Sequence, residues 1–294
     1  MAFPELRCKL LAFALASALV FAGCAGLHDV FRDDANTNQT NTNRTQPPPV
    51  PESLLLAFGN PSNATLDPGN EENFLIVGES YVLSYNNQRG TANWVSWKTT
   101  RADVGPTIPR PDFRPDPRLP GWYKRIGQYD YSGSGYDRGH LVPSADRFGN
   151  ARLNQETFLM SNIVPQTGAL NQYPWNKLEN YARSQVKSRF DVYQIAGVYG
   201  DAGRLKSKIT VPTNCWKVIM FVPRGASPAD IDARTRVIAV DMPNIEGIED
   251  VRWEKYRTTI RSIESKTGLD FFPALPRPLQ NAIETRKETV STRR

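Results

Sequence analysis

His140 closes the run Ser132-Gly133-Ser134-Gly135-Tyr136-Asp137-Arg138-Gly139-His140 and, with His28, is one of two histidines in the chain. An imidazole is the side chain best suited to accept a proton near neutral pH. The glycines ahead of it let backbone approach a ligand closely, and Asp137 and Arg138 bring charge of both signs beside it. A lone histidine is ordinarily structural; these neighbours favour a general base. A second polar cluster follows, from Asn162-Ile163-Val164-Pro165-Gln166 to Asn171-Gln172-Tyr173-Pro174-Trp175-Asn176-Lys177-Leu178-Glu179, and ends at Arg183. Glu179 and Arg183 are four apart and share a helix face. The plain alternatives are a surface ion pair for those two and a helix cap for Asn171.

Other chemistries fit less well. The histidines lie far apart and only one of three cysteines, Cys215, falls in the body of the chain. A Cys/His zinc site and an internal disulfide framework are therefore disfavoured, and Cys215 beside Trp216 reads as a small buried hydrophobe. A serine hydrolase built from Ser134, His140 and an Asp lacks its nucleophile elbow, because Tyr136 stands two residues after Ser134.

The elements that must position these residues are legible in outline. Asn73 to Tyr85 and Asn93 to Thr99 are aromatic and β-branched, with turn residues Asn86-Asn87 and Arg89-Gly90 between them. Pro106 to Pro120 is saturated with proline and must be an irregular loop. Strand-like runs follow at Thr157 to Ile163, Val192 to Val198, Trp216 to Val222 and Arg236 to Val240. A helix is expected from Pro174, with Trp175, Leu178, Ala182 and Val186 on one face and Asn171 just before it. A second is expected over Ile248 to Thr267, stopped by Gly268. Trp94, Trp97 and Trp175 read as core.

The chain has 294 residues, 39% of them hydrophobic and 22% charged, enough for a sizeable soluble core. Its net charge of +6 favours polyanionic partners without fixing a fold. At the N-terminus, Arg7 and Lys9 precede an apolar run from Leu10 to Phe21, the pattern of an export signal. Residues 1–23 read as a lipoprotein-type signal that stops just before Cys24 of Phe21-Ala22-Gly23-Cys24, with an ordinary cleaved signal or an uncleaved anchor as competitors. Residues 24–51, rich in Asn, Thr and Pro, read as a flexible tether. One domain is expected over 52–279 and a basic tail over 280–294.

Gly135-Tyr136-Asp137-Arg138-Gly139-His140 resembles the Asp-Arg-Gly-His signature of the DNA/RNA non-specific endonucleases, whose core is a ββα-metal (His-Me finger) motif. The resemblance continues through Pro143-Ser144-Ala145-Asp146-Arg147, Ser161-Asn162-Ile163-Val164-Pro165-Gln166 and the Asn171 to Glu179 stretch, and covers about Leu54 to Pro273. It implies an α+β fold with a mixed or antiparallel central sheet. It implies hydrolysis of DNA and RNA to 5′-phosphate ends with one divalent ion, Mg2+, with Mn2+ as the alternative. By position, His140 corresponds to the general base, Asn171 to the metal ligand and Glu179 to the acid that orients a metal-bound water. Arg183 corresponds to the arginine supporting that acid, Arg138 and Asp137 to the signature pair, and Arg110 to the upstream arginine that holds the scissile phosphate. Arg110, Arg138 and Asn162 would contact nucleic acid. Asp137 could equally be structural, holding the His140 loop in place. Arg114, Arg118, Lys124, Arg125 and Arg147 could line a groove or simply be solvated, and Asp146-Arg147 reads as a structural pair.

Phosphate contacts position a strand without reading its sequence, so such a site implies broad specificity. A catalytically silent nucleic-acid-binding lipoprotein on the same scaffold is the rival from another class. DNA and RNA are the expected substrates. Lipid on Cys24 would give a membrane contact and an envelope location, and nothing in the residues selects a homodimer or an inhibitor protein.

Overall fold

The computed structural model describes residues 54–288. The expected signal and tether lie outside the described residues. Strands β1 (Phe74–Val77), β2 (Val82–Asn86) and β3 (Thr91–Thr99) form a meander. A two-stranded ribbon follows, β4 (Asp137–His140) with β5 (Ile163–Gln166). Then come β6 (Phe190–Tyr199), a short β7–β8 hairpin (Arg204–Leu205, Ile209–Thr210), β9 (Asn214–Pro223), β10 (Arg236–Pro243) and β11 (Arg257–Thr258). The main sheet has the order β1-β2-β3-β6-β9-β10-β11, with every neighbouring pair antiparallel. The α+β class expected from sequence is the one observed, and the sheet is antiparallel throughout.

Both faces of this sheet are covered, so its central strands read as near-continuous apolar runs rather than alternating ones. On one face Trp97, Val192, Ala196, Ile219 and Phe221 pack with Trp175, Leu178, Ala182 and Val186, the apolar stripe of helix α3 (Asn176–Ser188). On the other, Trp94, Ile195, Trp216, Val218 and Met220 pack with Ile260, Ile263 and Ile283 from α4 (Ile260–Thr267) and α5 (Arg277–Glu284). Trp94, Trp97 and Trp175 are core, and Cys215 is a buried free thiol.

Several sequence expectations shift. Thr157 ends helix α1 (Ala151–Thr157), capped by Asn150, and a 3₁₀ turn over Met160–Asn162 precedes β5, so the strand expected from Thr157 begins only at Ile163. The helix expected from Ile248 starts at Ile260: Thr259 caps it by accepting from Ser262 N, while Arg257 and Thr258 pair with β10 instead. Gly268 does stop it, in the left-handed conformation with φ 73°. Asn171 lies inside helical chain rather than before it. Helix α2 (Gly168–Leu170), capped by Thr167, runs into a π turn over Asn171–Trp175 and on into α3. Pro174 has no N–H to donate, and the wide turn occurs where a regular ladder would need that donor. Beyond Leu279, α5 continues to Glu284, and Arg286 donates to the carbonyl of Ala233.

Candidate active site

The β4–β5 ribbon and the α2–π–α3 helix together form a ββα unit. Its register sets Asp137 opposite Gln166 and His140 opposite Ile163. Gly139 is required by a close approach: a Cβ there would lie 2.0 Å from Oε1 of Gln166. Trp175 Nε1 donates to the His140 carbonyl at 3.3 Å, tying the ribbon to the helix. Asp137 makes the second tie, its Oδ2 accepting from Asn171 Nδ2 and from Gln172 Nε2, both at 2.9 Å.

His140, Asn171 and Glu179 meet in one open cleft of about 280 Å³, with Pro143, Ser144, Gln172 and Asn176. The His140 ring packs against Phe158 and Phe113, with centroids at 5.0 and 5.4 Å. Its Nε2 is buried with no hydrogen-bond partner, which leaves Nδ1 as the nitrogen available to the cleft. Burial among these rings, and secondarily the charge of Arg110, pushes the imidazole pKa down to about 3. At neutral pH the ring is therefore uncharged and able to accept a proton.

The two arginines converge on the same aromatic ring. The guanidinium of Arg110 lies 5.0 Å from the Phe113 centroid and 5.7 Å from that of Phe158; that of Arg138 lies 4.9 Å from Phe113. Arg138 also donates to the Gln128 carbonyl at 3.3 Å. Stacking on Phe113 thus brings Arg110 and Arg138 to the His140 side of the site although 28 residues separate them in sequence.

Glu179 is 8% exposed, and its Oε1 lies 3.2 Å from Nζ of the wholly buried Lys217. Burial raises the Glu179 pKa, with the charges of Lys217 and Arg183 opposing the rise. Arg183 does not bond Glu179: its Nη1 reaches Asp146 Oδ1 at 2.9 Å and its Nη2 reaches Asn180 Oδ1 at 2.9 Å. It acts on Glu179 through its field alone. Asp146 is the hub of this buried layer, also accepting from Trp97 Nε1, Thr99 Oγ1 and Gln194 Nε2.

Asn162 is placed differently from the expectation. It is fully buried, donating to the carbonyls of Val142 and Thr157 and accepting from Val142 N. With its amide consumed in bracing the chain after His140, Asn162 is a framework residue and not a nucleic-acid contact. Arg147 is 2% exposed and bonded to Ser80 and to backbone carbonyls, so it lines no groove, and its guanidinium meets the Asp146 carbonyl rather than the carboxylate. Arg118 is likewise engaged by Asp116. Phe113, Phe158, Gln172 and Lys217 belong to the site and were not singled out from sequence. Lys217 carried a signal: it is a charged residue in Trp216-Lys217-Val218-Ile219-Met220-Phe221, a run buried on both faces.

The donor set suits a hard divalent cation. Asp137 holds the Asn171 amide by its nitrogen, and among the described residues the carbonyl Oδ1 accepts no hydrogen bond. That oxygen and the Glu179 carboxylate are oxygen donors on one cleft, with no thiol beside them.

Comparison with known proteins agrees. Residues 59–278 match the DNA/RNA non-specific endonuclease family. A nuclease of Nostoc sp. is 41% identical over 250 residues, covering 83% of this chain and 91% of the relative. Human mitochondrial endonuclease G is 34% identical over 212 residues, covering 66% and 68%. The crystal structure of an EndoG/EndoGI complex, which concerns EndoG inhibition, superposes with TM-score 0.64 at 26% identity, over 76% of this chain and 92% of that one.

Proposed function

The chain belongs to the DNA/RNA non-specific endonuclease family, whose members are divalent-metal-dependent nucleic-acid hydrolases, and on that premise we propose the chemistry of its site. His140 is the general base for hydrolysis of DNA and RNA, Asn171 holds a single Mg2+, and the products carry 5′-phosphates. The observation that carries this reading is the shared cleft of His140, Asn171 and Glu179, with Asp137 bonded to the Asn171 amide.

In this reading a water at Nδ1 of His140 gives its proton to the neutral ring. Arg110 and Arg138, held on Phe113 near that ring, meet the non-bridging oxygens of the phosphodiester and fix it in line. Asp137 takes the positioning role, fixing the direction of Asn171. Glu179 accepts hydrogen bonds from water in the cleft. When bound, the divalent ion supplies positive charge for the phosphoryl and departing oxygens. Mg2+ keeps several waters and needs few protein ligands, which fits one amide oxygen with a carboxylate near it.

With Mg2+ the protein should convert supercoiled plasmid to nicked and linear forms, and EDTA should stop it; Mn2+ should restore cutting. Product ends should take label from polynucleotide kinase only after phosphatase treatment. A protein that shifts DNA on a gel yet leaves it uncut in Mg2+ would instead fit the silent binder.

Export to the cell envelope is the accompanying proposal, supported by the basic start, the apolar run and Phe21-Ala22-Gly23-Cys24. Among the described residues no helix is long and apolar enough to cross a membrane. Cells fed a radioactive fatty acid should label the wild-type protein and not the Cys24→Ser variant; equal labelling removes the lipid anchor from the proposal.

A further inference from the structure

Among the described residues, three aromatic side chains stand well out in solvent: Trp122, Tyr129 and Tyr173. Trp122 packs edge-on against Tyr123, and Lys177 lies 5.8 Å from the Tyr173 centroid. Tyr129 is the most exposed of the three, at 74%, and its ring has no aromatic, cationic or hydrogen-bonding partner among the described residues. The backbone beneath that ring is, by contrast, firmly held. Tyr129 belongs to the 3₁₀ turn Gln128–Tyr131, whose start is closed by Gly127 N donating to Asp130 Oδ2 at 2.9 Å. Tyr131 is buried with Phe113 and Ile163, and its hydroxyl donates to the Ile163 carbonyl at 3.3 Å.

Two cations flank the ring on successive carbonyls. Arg138 Nη1 donates to the Gln128 carbonyl at 3.3 Å and Lys206 Nζ to the Tyr129 carbonyl at 2.6 Å. Successive Cα atoms are ~3.8 Å apart, so the two donors lie within roughly 10 Å of each other. Neither cation has a carboxylate in ion-pair reach among the described residues, whereas Lys208 is matched by Asp130 at 3.1 Å. Lys206 comes from the turn of the β7–β8 hairpin, where Lys206 and Ser207 are both left-handed, with φ 43° and 60°. Glycine or asparagine is the usual occupant of such turn positions, and the turn here places a lysine there instead. Leu205 and Ile209 root the hairpin in the same apolar cluster as Phe113 and Tyr131, so the ring that carries Arg110 and Arg138, the 3₁₀ turn and the hairpin share one base.

We propose that Tyr129 is a stacking platform for an unpaired nucleobase of the substrate, with Lys206 on a phosphate beyond it. The strand then runs from the cleft past Arg138 and over the 3₁₀ turn to the hairpin. This rests on Arg138 meeting the scissile phosphate, as proposed for the cleft. A separation of roughly 10 Å is a few nucleotides of a strand that advances ~3.4 Å per stacked base. Every base offers a π face, so an aromatic ring between backbone cations holds a single strand without reading its sequence. Because the turn is already braced, stacking on Tyr129 orders little of the protein. In an intact duplex each base is covered by its neighbours, and the ring has no face to meet unless a base is unstacked. The platform therefore selects the state of the strand: single-stranded or locally unpaired DNA and RNA over intact duplex.

The test is binding by the full chain in EDTA, which stops cleavage, read as fluorescence anisotropy of labelled strands of ~12 nucleotides. The probes are oligothymidylate, its abasic counterpart of equal charge, and a duplex. Tyr129→Ala should weaken oligothymidylate binding by about tenfold or more, with the abasic strand and the duplex changed by less than about twofold. Tyr129→Phe, which keeps the ring, should bind as the wild type does. The Tyr129 ring makes no contact within the fold, so the thermal midpoint of Tyr129→Ala should not move. Lys206→Met should flatten the dependence of log K on log salt by about 0.7 for the thymidylate strand, the share of one phosphate contact. Thymidylate affinity unchanged by Tyr129→Ala, or an equal loss on the abasic strand, overturns the platform; an unchanged salt slope in Lys206→Met takes the strand off the hairpin. Binding is read apart from cleavage, so a protein that showed the expected pattern yet cut nothing in Mg2+ would keep the platform and lose the roles given to His140 and Asn171.

Discussion

His140→Ala should lower the rate of phosphodiester cleavage by about 10²–10⁴-fold, the usual worth of a positioned general base, while leaving the fold in place. Fold retention follows from the surroundings. The ring packs against Phe113 and Phe158, but its Nε2 is buried without a partner, so truncation removes an unsatisfied polar atom along with the packing. The tie from Trp175 goes to the His140 carbonyl and survives the substitution. Cleavage at the wild-type rate by this variant would end the assignment. A pH signature accompanies the loss. With its folded pKa pushed down to about 3 from an ordinary 6.5, His140 binds fewer protons folded than unfolded between those values. Wild-type stability therefore falls through this group as pH drops below about 6.5, and His140→Ala should lose that share of the pH dependence.

The ββα unit was readable because its residues are close in sequence and chemically conspicuous. Asp137 to His140 sit four in a row, and the stripe of Trp175, Leu178, Ala182 and Val186 announces the helix that faces them. What remained hidden depends on tertiary pairing. Asn162 looks like a ligand by type, and only the fold shows its amide spent on Val142 and Thr157. Arg183 stands at the spacing of an ion pair with Glu179, yet Asp146, 37 residues upstream, takes its guanidinium. The 3.6-residue period places two side chains on one face; it does not decide which of them turns to a third element. The π turn at Asn171 was invisible for the same reason: Pro174 marks a helix start by local preference, and packing of Leu170 and Trp175 into the core carries the helix back to Gly168.

Lys217→Met should be the most damaging single change away from the reacting groups. By strand parity Lys217 points to the α3 face of the sheet, where it is 0% exposed, 3.2 Å from Glu179 Oε1, and 4.3 and 5.2 Å from the ring centroids of Trp175 and Trp97. Methionine preserves most of the volume and removes the charge, leaving Glu179 buried without its ion-pair partner. Breaking a buried pair in this way costs about 3–5 kcal/mol, which in a domain of this size is a fall in Tm of roughly 6–20 °C. Burial already raises the Glu179 pKa and Lys217 opposes the rise, so the variant's carboxyl should titrate higher still. A carboxyl whose folded pKa exceeds its unfolded one loses stability as pH rises through that interval. The defect should accordingly be smaller at pH 5 than at pH 8, and the acid limb of the cleavage profile should move to higher pH. Adding Glu179→Gln to Lys217→Met should recover most of the stability, because no buried charge is left unmatched, while cleavage stays slow for want of a carboxylate at the cleft. A merely space-filling lysine would give neither the pH-dependent defect nor this split between restored fold and unrestored rate. An unchanged Tm and pH profile in Lys217→Met would show that the charge of this lysine does not position Glu179.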